Sequence, residues 1–235
     1  MEYTTVLKTA EAEFTEKKSR FIGRAYPVET EEEARQILET IRRDHWDATH
    51  NVFAYRVGLQ GEIQRFSDDG EPGGTAGRPM LEVLLGQDIR NVLVIATRYF
   101  GGILLGTGGL VRAYTRSAQE AVQAAGVIRR EVCRLCRLSL EYTQLGKIQY
   151  ALTKENFVIN SIDYTDRVEL EAVVPEPRYG RFLKVLTEAG EGRIAPGEER
   201  RIWAARRDEG YVFFPDSLMP LPAAEGPQES LPDRP

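Results

Sequence analysis

In the first half of the chain, one segment has apolar residues at helical spacing. A stripe at three- and four-residue intervals predicts an amphipathic helix over residues 29–44. Thr30 can cap this helix, and Glu33 stands three residues later, at the spacing of a capping box. The residues of the stripe are Ala34, Ile37, Leu38 and Ile41.

Short apolar runs bounded by turn residues predict strands and two more helices in the same half of the chain. Gly126 should end the longer helix, because glycine is common just past a helix C-terminus. The predicted strands cover residues 21–27, 51–59, 62–66 and 91–97, and the predicted helices cover residues 79–85 and 109–125.

The second half of the chain shows a regular order of patterns. Strands are predicted over residues 132–142, 157–164, 168–174 and 192–205, and helices over residues 143–155 and 175–189. This βαββαβ order is that of the ferredoxin-like fold. The sequence therefore predicts an α+β protein with domains at residues 1–131 and 132–207, followed by a disordered tail at 208–235, where Pro, Glu, Ser and Gly become frequent.

Composition narrows the class of protein. The formal net charge of -5 over 235 residues excludes a strongly basic nucleic-acid-binding chain, although it leaves room for a local basic surface. No membrane-spanning run or signal peptide is visible, so we expect a cytoplasmic protein with no membrane contact. Cys133 and Cys136 are three positions apart on a predicted strand and point to opposite faces, which argues against zinc or redox chemistry.

An acidic loop over residues 67–78 is the first motif that can carry chemistry. Asp68, Asp69 and Glu71 could hold a divalent cation or serve as general acid and base. The alternative, which we favour, is structural, because carboxylates accept backbone hydrogen bonds in tight turns. His50 is a weak catalytic candidate, because a histidine in a loop more often forms a hydrogen bond to the backbone than it takes part in catalysis.

A glycine-rich loop that leads into the long predicted helix is the second motif. Glycines allow backbone N–H groups to approach an anion, and no acidic residue occurs between Ile89 and Gln119. The spacing matches neither a Walker loop nor a dinucleotide fingerprint, and the glycines could instead serve tight packing. The predicted anion- or nucleic-acid-binding residues are Arg78, Arg98, Tyr99, Gly101, Gly102, Gly106, Thr107, Gly108, Gly109, Arg112 and Arg116.

Three aromatic residues and a basic turn adjoin these motifs. Tyr99, Phe100 and Tyr114 could stack on bases, although Phe100 is as well explained as a core residue. The run of basic residues at 17–20 fits a solvated turn better than a binding element.

The two motifs, in this order, resemble the Impact family. The match covers residues 5–130 closely and extends to 131–205 through the order of elements. The matching segments are Glu16-Lys17-Lys18-Ser19-Arg20-Phe21-Ile22, Ala48-Thr49-His50-Asn51, Ser67-Asp68-Asp69-Gly70-Glu71-Pro72, Thr75-Ala76-Gly77, Arg98-Tyr99-Phe100-Gly101-Gly102 and Leu105-Gly106-Thr107-Gly108-Gly109-Leu110-Val111-Arg112-Ala113-Tyr114.

The resemblance implies a fold and a cellular process. It implies an N-terminal βαβ-type domain similar to a small-subunit ribosomal protein and to a domain of elongation factor G. The C-terminal domain should resemble the ferredoxin-like last domain of that factor. Eukaryotic members regulate translation in the stress response to amino-acid starvation, by competing for an activator of the stress kinase. The resemblance brings no catalytic residue and no cofactor.

Three functions remain open at this point. The first is a regulatory protein of translation that binds RNA or the ribosome through the glycine–arginine surface. The second is a hydrolase or phosphoryl-transfer enzyme that uses the acidic loop and the glycine loop together. The third is a regulator that binds a translation-regulating protein without nucleic acid. Whether the protein is an enzyme stays open, although the residues of the two motifs favour a protein that is not an enzyme.

Overall fold

The computed structural model describes residues 1–208, 210–215 and 217–222. The chain divides into two compact units, Tyr3–Arg129 and Met1–Glu2 together with Arg130–Pro235. The first unit contains most of β1 (Glu2–Val6), β2 (Ala10–Glu16), β3 (Ser19–Pro27), α1 (Glu31–Asp44), β4 (His50–Val57), β5 (Ile63–Ser67), α2 (Gly77–Gly86), β6 (Val92–Tyr99) and α3 (Thr107–Ala125). The second contains most of β7 (Val127–Leu140), then α4 (Tyr142–Lys154), β8 (Val158–Tyr164), β9 (Val168–Pro175), α5 (Tyr179–Gly190), β10 (Glu199–Arg207) and β11 (Gly210–Phe214).

The first unit is built on a five-stranded sheet of order β2-β3-β6-β4-β5. Every neighbouring pair is antiparallel. Because β3 and β4 both pair antiparallel with β6, they run parallel to each other on its two sides, and α1 connects them. This split βαβ arrangement confirms the predicted fold class for the N-terminal part.

Helices cover both faces of this sheet. α2 and α3 pack on one face, in a core that includes Phe21, Met80 and Tyr114. α1 packs on the other face through the predicted stripe, whose members Ala34, Leu38 and Ile41 are buried. The apolar pattern of β6 is therefore continuous rather than alternating, because its residues contact helices on both sides.

The N-terminus of α1 differs in detail from the predicted capping box. The Thr30 hydroxyl accepts the Glu33 backbone N–H at 3.1 Å, as expected. The Glu33 carboxylate, however, accepts the backbone N–H of Glu29 at 2.8 Å rather than that of Thr30. Thr30 has an extended backbone, so the helix begins at Glu31, two residues later than predicted.

The second unit has the ferredoxin-like topology. Its strands follow the order β11-β10-β7-β9-β8 and each neighbouring pair is antiparallel. α4 and α5 pack on one face of this sheet around Leu138, Leu170 and Phe182. The predicted βαββαβ order is confirmed, although α5 begins at Tyr179 rather than at residue 175, after a short 3-10 turn at Glu176–Arg178.

β11 corrects the prediction of a disordered tail from residue 208. Gly210–Phe214 pairs with β10, and the Arg130 guanidinium lies 3.7 Å from the centre of the Phe214 ring. The run of Tyr, Val and Phe in this segment has high strand propensity, which the surrounding acidic residues and proline obscured. The part of the predicted tail at residues 223–235 lies outside the described residues.

Two further properties concern the sequence predictions. No helix in the described ranges has the length and apolarity needed to cross a membrane. Cys133 and Cys136 are both buried free thiols, and burial is the main cause that raises the pKa of each. Cys136 belongs to the core beneath α4 and α5, whereas Cys133 belongs to a cluster with Leu135 and Ile202.

Candidate functional site

Both motifs and the basic turn lie at one end of the first sheet, which we call the motif end. β3 and β4 begin at this end, and β2, β5 and β6 finish there. The strand registers establish the arrangement, because Arg98 lies opposite both Phe21 and His50, while Ser67 lies opposite Phe53. Loops that are distant in sequence are thereby brought together.

Asp68 stabilises the start of α2. Its Oδ1 accepts the backbone N–H groups of Ala76 at 3.0 Å and Gly77 at 2.8 Å, and its Oδ2 accepts that of Gly74 at 2.8 Å. Ala76 has no side chain that could cap the helix, so a carboxylate from eight residues upstream performs this role. The negative charge is also well placed against the helix dipole. All three contacts fix the acidic loop against the start of α2.

Asp69 connects the acidic loop to β4 and α1. Its Oδ2 accepts the Asn51 backbone N–H at 2.7 Å, and its Oδ1 accepts a hydrogen bond from Arg42 at 3.3 Å. The residue has a left-handed backbone with φ of 46°, which aspartate tolerates better than most residues. The carboxylate of Asp69, like that of Asp68, thus holds the acidic loop in place.

Glu71 is buried and forms an ion pair with Arg98. One oxygen, Oε1, accepts hydrogen bonds from Arg98 Nη1 at 2.5 Å and from the Tyr114 hydroxyl at 2.7 Å. The side chains of Glu71 and Arg98 are only 4% and 5% exposed. Burial, followed by the hydrogen bond to Glu71, raises the pKa of Tyr114, so its hydroxyl remains a donor. We call these three residues, with His50 and Ser19, the buried network.

His50 and Ser19 complete the buried network. His50 Nδ1 lies 2.7 Å from the Asp69 carbonyl oxygen, so this nitrogen must carry the proton of the hydrogen bond. His50 Nε2 faces Glu71 Oε1 at 3.7 Å. Arg98 Nη2 donates to the Ser19 hydroxyl at 3.3 Å, and its guanidinium lies between the rings of Phe21 and Phe100.

The burial of Arg98 corrects the prediction that its side chain faces an anion. Its ion-pair partner is Glu71, from the other motif, and sequence patterns do not reveal such a pair. Tyr99 is half-buried, and its hydroxyl bonds to His45 Nδ1 at 2.8 Å. Gly101 packs on the backbone of Lys18, where an added Cβ would lie 2.0 Å from the carbonyl oxygen.

The other predicted anion-binding residues are more accessible. Gly102 and Gly106 have positive φ angles and open space at the Cβ position, while Thr107 and Gly108 are exposed and Gly109 is half-buried. Arg78 and Arg116 are exposed, but each pairs with a glutamate four residues on, at 3.2 and 2.7 Å. Among the described residues, Arg112 takes part in no hydrogen bond or ion pair.

Apolar side chains at the loop tip are the feature that sequence reasoning missed. Ile103 is 43% exposed, Leu104 is 81% exposed and Phe100 is 44% exposed. The sequence signal for these exposed side chains was the apolar run Ile103-Leu104-Leu105 inside a glycine-rich loop. Only Leu105 of this run turns into the core. We call the exposed side chains of Phe100, Ile103 and Leu104 the loop tip.

A groove of about 210 Å³ lies beside the loop tip, between the β2–β3 hairpin and α3. The Arg116 guanidinium lies 4.1 Å from the centre of the Phe14 ring at this groove. Lys17 and Lys18 form the hairpin turn with left-handed φ angles of 45° and 66°. The lining residues are Phe14, Glu16, Lys17, Leu105, Gly109, Arg112, Ala113 and Arg116.

The fold and the site define a two-unit α+β protein that carries its signature motifs at one end of the first sheet. The Impact N-terminal domain family matches residues 17–122, and the domain of unknown function DUF1949 matches residues 138–193. The chain belongs to the Impact family, which confirms the resemblance. This conclusion rests on the similarity to the relatives as well as on the two domain matches.

Two curated relatives and one solved structure show how far the similarity extends. The chain is 44% identical over 198 residues to IMPACT family member YvyE of Bacillus subtilis, covering 83% of this chain and 91% of the relative. It is 38% identical over 181 residues to IMPACT family member YigZ of Escherichia coli, covering 76% and 88%. A crystal structure of a hypothetical protein matches with a TM-score of 0.54 and 33% identity over 83% of this chain and 96% of that chain.

Proposed function

We propose that this chain is a regulatory protein of translation that acts by binding a protein partner through the loop tip. The observation that carries the proposal is the exposure of Phe100, Ile103 and Leu104 on a loop whose base is fixed. Neighbouring apolar side chains that remain exposed on a folded surface mark interaction sites. Aromatic residues such as Phe are enriched at protein interfaces, and the residues that dominate the binding energy cluster near the interface centre.

The distribution of chemistry at the motif end supports binding over catalysis. Asp68 and Asp69 accept backbone N–H groups, and Glu71 is buried against Arg98. The enzyme alternative needs these carboxylates to face a substrate beside the glycine loop. In the described residues, no group of three or more His, Cys, Asp or Glu side chains has a metal-binding arrangement. The link to translation rests on the family resemblance.

Substitution of the loop tip tests the proposal. We expect the double variant Ile103→Asp, Leu104→Asp to lose a partner that the unchanged chain captures from a bacterial lysate after ribonuclease treatment. Leu85→Asp is the matched control, because Leu85 is 41% exposed near the end of α2, which starts at the motif end. Identical capture by the unchanged chain and the double variant would refute the proposal.

RNA binding is the second candidate, and the cations around the loop tip favour it. Lys17, Lys18 and Arg112 are exposed and form no ion pair within the described part of the chain. If they contact phosphates, replacing Lys17 and Arg112 by alanine should reduce the slope of log affinity against log salt by about 0.7 per contact for single-stranded RNA. Arg43→Ala, on α1 and the opposite sheet face, should leave the slope unchanged.

A further inference from the structure

The groove beside the loop tip combines an apolar floor with a basic rim. Phe14, Leu105 and Ala113 form the floor and belong to the core shared by the sheet, α2 and α3. Lys17 and Arg112 stand at the rim. The floor offers burial to an apolar group, and the rim offers charge to whatever flanks that group.

The size of the groove limits its occupant. Its volume of about 210 Å³ is smaller than the roughly 300–1,000 Å³ of sites that enclose a whole small ligand. A cleft of this size, open along one side, suits one large side chain of a partner. Such pockets take the anchor residues that dominate the energy of many interfaces.

The charges around the groove determine what should flank the anchor. Lys17, Arg112 and Arg116 line it against a single carboxylate, Glu16. The Arg116 guanidinium is held over the Phe14 ring, so its position is defined, while Arg112 has no partner within the described residues. Arg116 also pairs with Glu120. Acidic groups on the partner would therefore meet chiefly the positive charges of Lys17 and Arg112, which favours association and orients the partner.

We propose that this groove binds an acidic segment of a protein partner, with one large apolar side chain seated on Phe14 and Leu105. The inference deepens the proposed function, on which it rests, by naming the chemistry of the partner. A phosphate backbone matches the rim but not the floor, because it gains nothing from apolar burial. The loop tip lies beside the groove and would extend the same interface.

Peptide selection on the full chain tests the groove without a known partner. A random peptide library displayed on phage is selected on the unchanged chain, on Arg112→Glu and on Arg43→Glu. We expect the unchanged chain and Arg43→Glu to enrich peptides with Asp or Glu beside Leu, Ile, Phe or Met. Arg112→Glu should lose this enrichment, because it reverses the charge of a groove cation that has no ion-pair partner among the described residues.

Synthetic versions of an enriched peptide then separate the two parts of the groove. Fluorescence anisotropy should show affinity reduced roughly tenfold or more when the central apolar residue is replaced by alanine, and similarly when Arg112 is replaced by glutamate. Arg43→Glu should bind as the unchanged chain does. Thermal melting of each variant confirms that it is folded.

Different failures refute different claims. Enrichment of neutral or basic peptides, no enrichment at all, or equal binding to Arg112→Glu would overturn the groove proposal. Peptides that lose binding with the loop-tip variant but not with Arg112→Glu would also overturn it, while supporting the proposed function. A further outcome is that acidic peptides bind as expected, while the loop-tip variant captures the same partner from lysate as the unchanged chain. This result would support the groove proposal and refute the proposed function.

Discussion

Glu71 shows how much a single side chain contributes to the motif end. Its Oε1 atom accepts hydrogen bonds from Arg98 and Tyr114, which lie 27 and 43 positions further along the chain. A buried ion pair adds little net stability when it is intact, yet removal of one partner leaves a charge without compensation. The residue therefore joins β6, α3 and the acidic loop whether or not it has any chemical role.

Glu71→Ala should lower the free energy of unfolding by about 3–5 kcal/mol, because the Arg98 guanidinium would remain buried without a counter-charge. The double variant Glu71→Leu, Arg98→Met should lose much less than the sum of the two single changes, since it removes both charges. Urea unfolding of the unchanged chain, Glu71→Ala, Glu71→Leu, Arg98→Met and the double variant provides the measurement. Additive losses would show that the pair is not coupled.

His45 makes stability depend on pH. Burial, and next the charge of Arg24, lowers the pKa of His45, and Arg24 Nη2 lies 2.9 Å from its Nε2. The neutral ring is thus favoured in the folded protein. Its contribution is fully present above the unfolded pKa of about 6.5 and is lost as the pH falls through the lowered folded pKa.

We therefore expect the unfolding free energy to fall as the pH drops below about 6.5, and to fall less in His45→Gln. The chain has two histidines, so His50 is common to both proteins and the difference in slope reports His45. Chemical unfolding at several pH values measures these slopes. Equal slopes in the two proteins would contradict the assignment.

At the scale of elements, α2 depends on a carboxylate outside its own sequence. Asp68→Ala should cost about 1–2 kcal/mol of stability, as loss of a helix cap does, and Asp68→Asn should cost less. Glu82→Ala is the control on the same helix, because its exposed pair with Arg78 is worth about 0.5 kcal/mol or less. An Asp68→Ala protein as stable as the unchanged chain would contradict the structural role of Asp68 in the acidic loop.

The periodicity of apolar residues predicted the helices and strands well, but it did not predict which side chains contact each other. The α1 stripe and the βαββαβ order were readable because each depends on neighbours a few residues apart. The destinations of Arg98 and Asp68 were not readable, because each depends on a partner or an amide brought close by the tertiary fold. Leu104 illustrates a further limit, since an apolar letter in a loop does not reveal whether it turns inward like Leu105 or outward.

At the scale of the whole molecule, β11 belongs to the folded structure. A chain ending at residue 208 should be less stable than one ending at residue 222, by about 2 kcal/mol or more, because the aromatic residues of β11 pack on the sheet. Trp203 gives a direct readout, since it is 2% exposed and donates to the Met219 carbonyl oxygen.

The fluorescence of the shorter chain should shift to longer wavelength as Trp203 meets water. Trp46 is already 83% exposed and contributes equally to both proteins. The chain ending at 222 serves as the control, because it lacks only residues 223–235. Indistinguishable spectra and unfolding curves for the two chains would show that β11 is dispensable.

The separation between the fixed base of the glycine loop and its exposed tip has a consequence for how such a protein can diversify. Asp68, Glu71 and Arg98 hold the motif end without any contribution from Ile103 or Leu104. Under the proposed function, exchanging these two residues would change the preferred partner while folding stays intact. A new specificity could then be engineered by altering the tip alone.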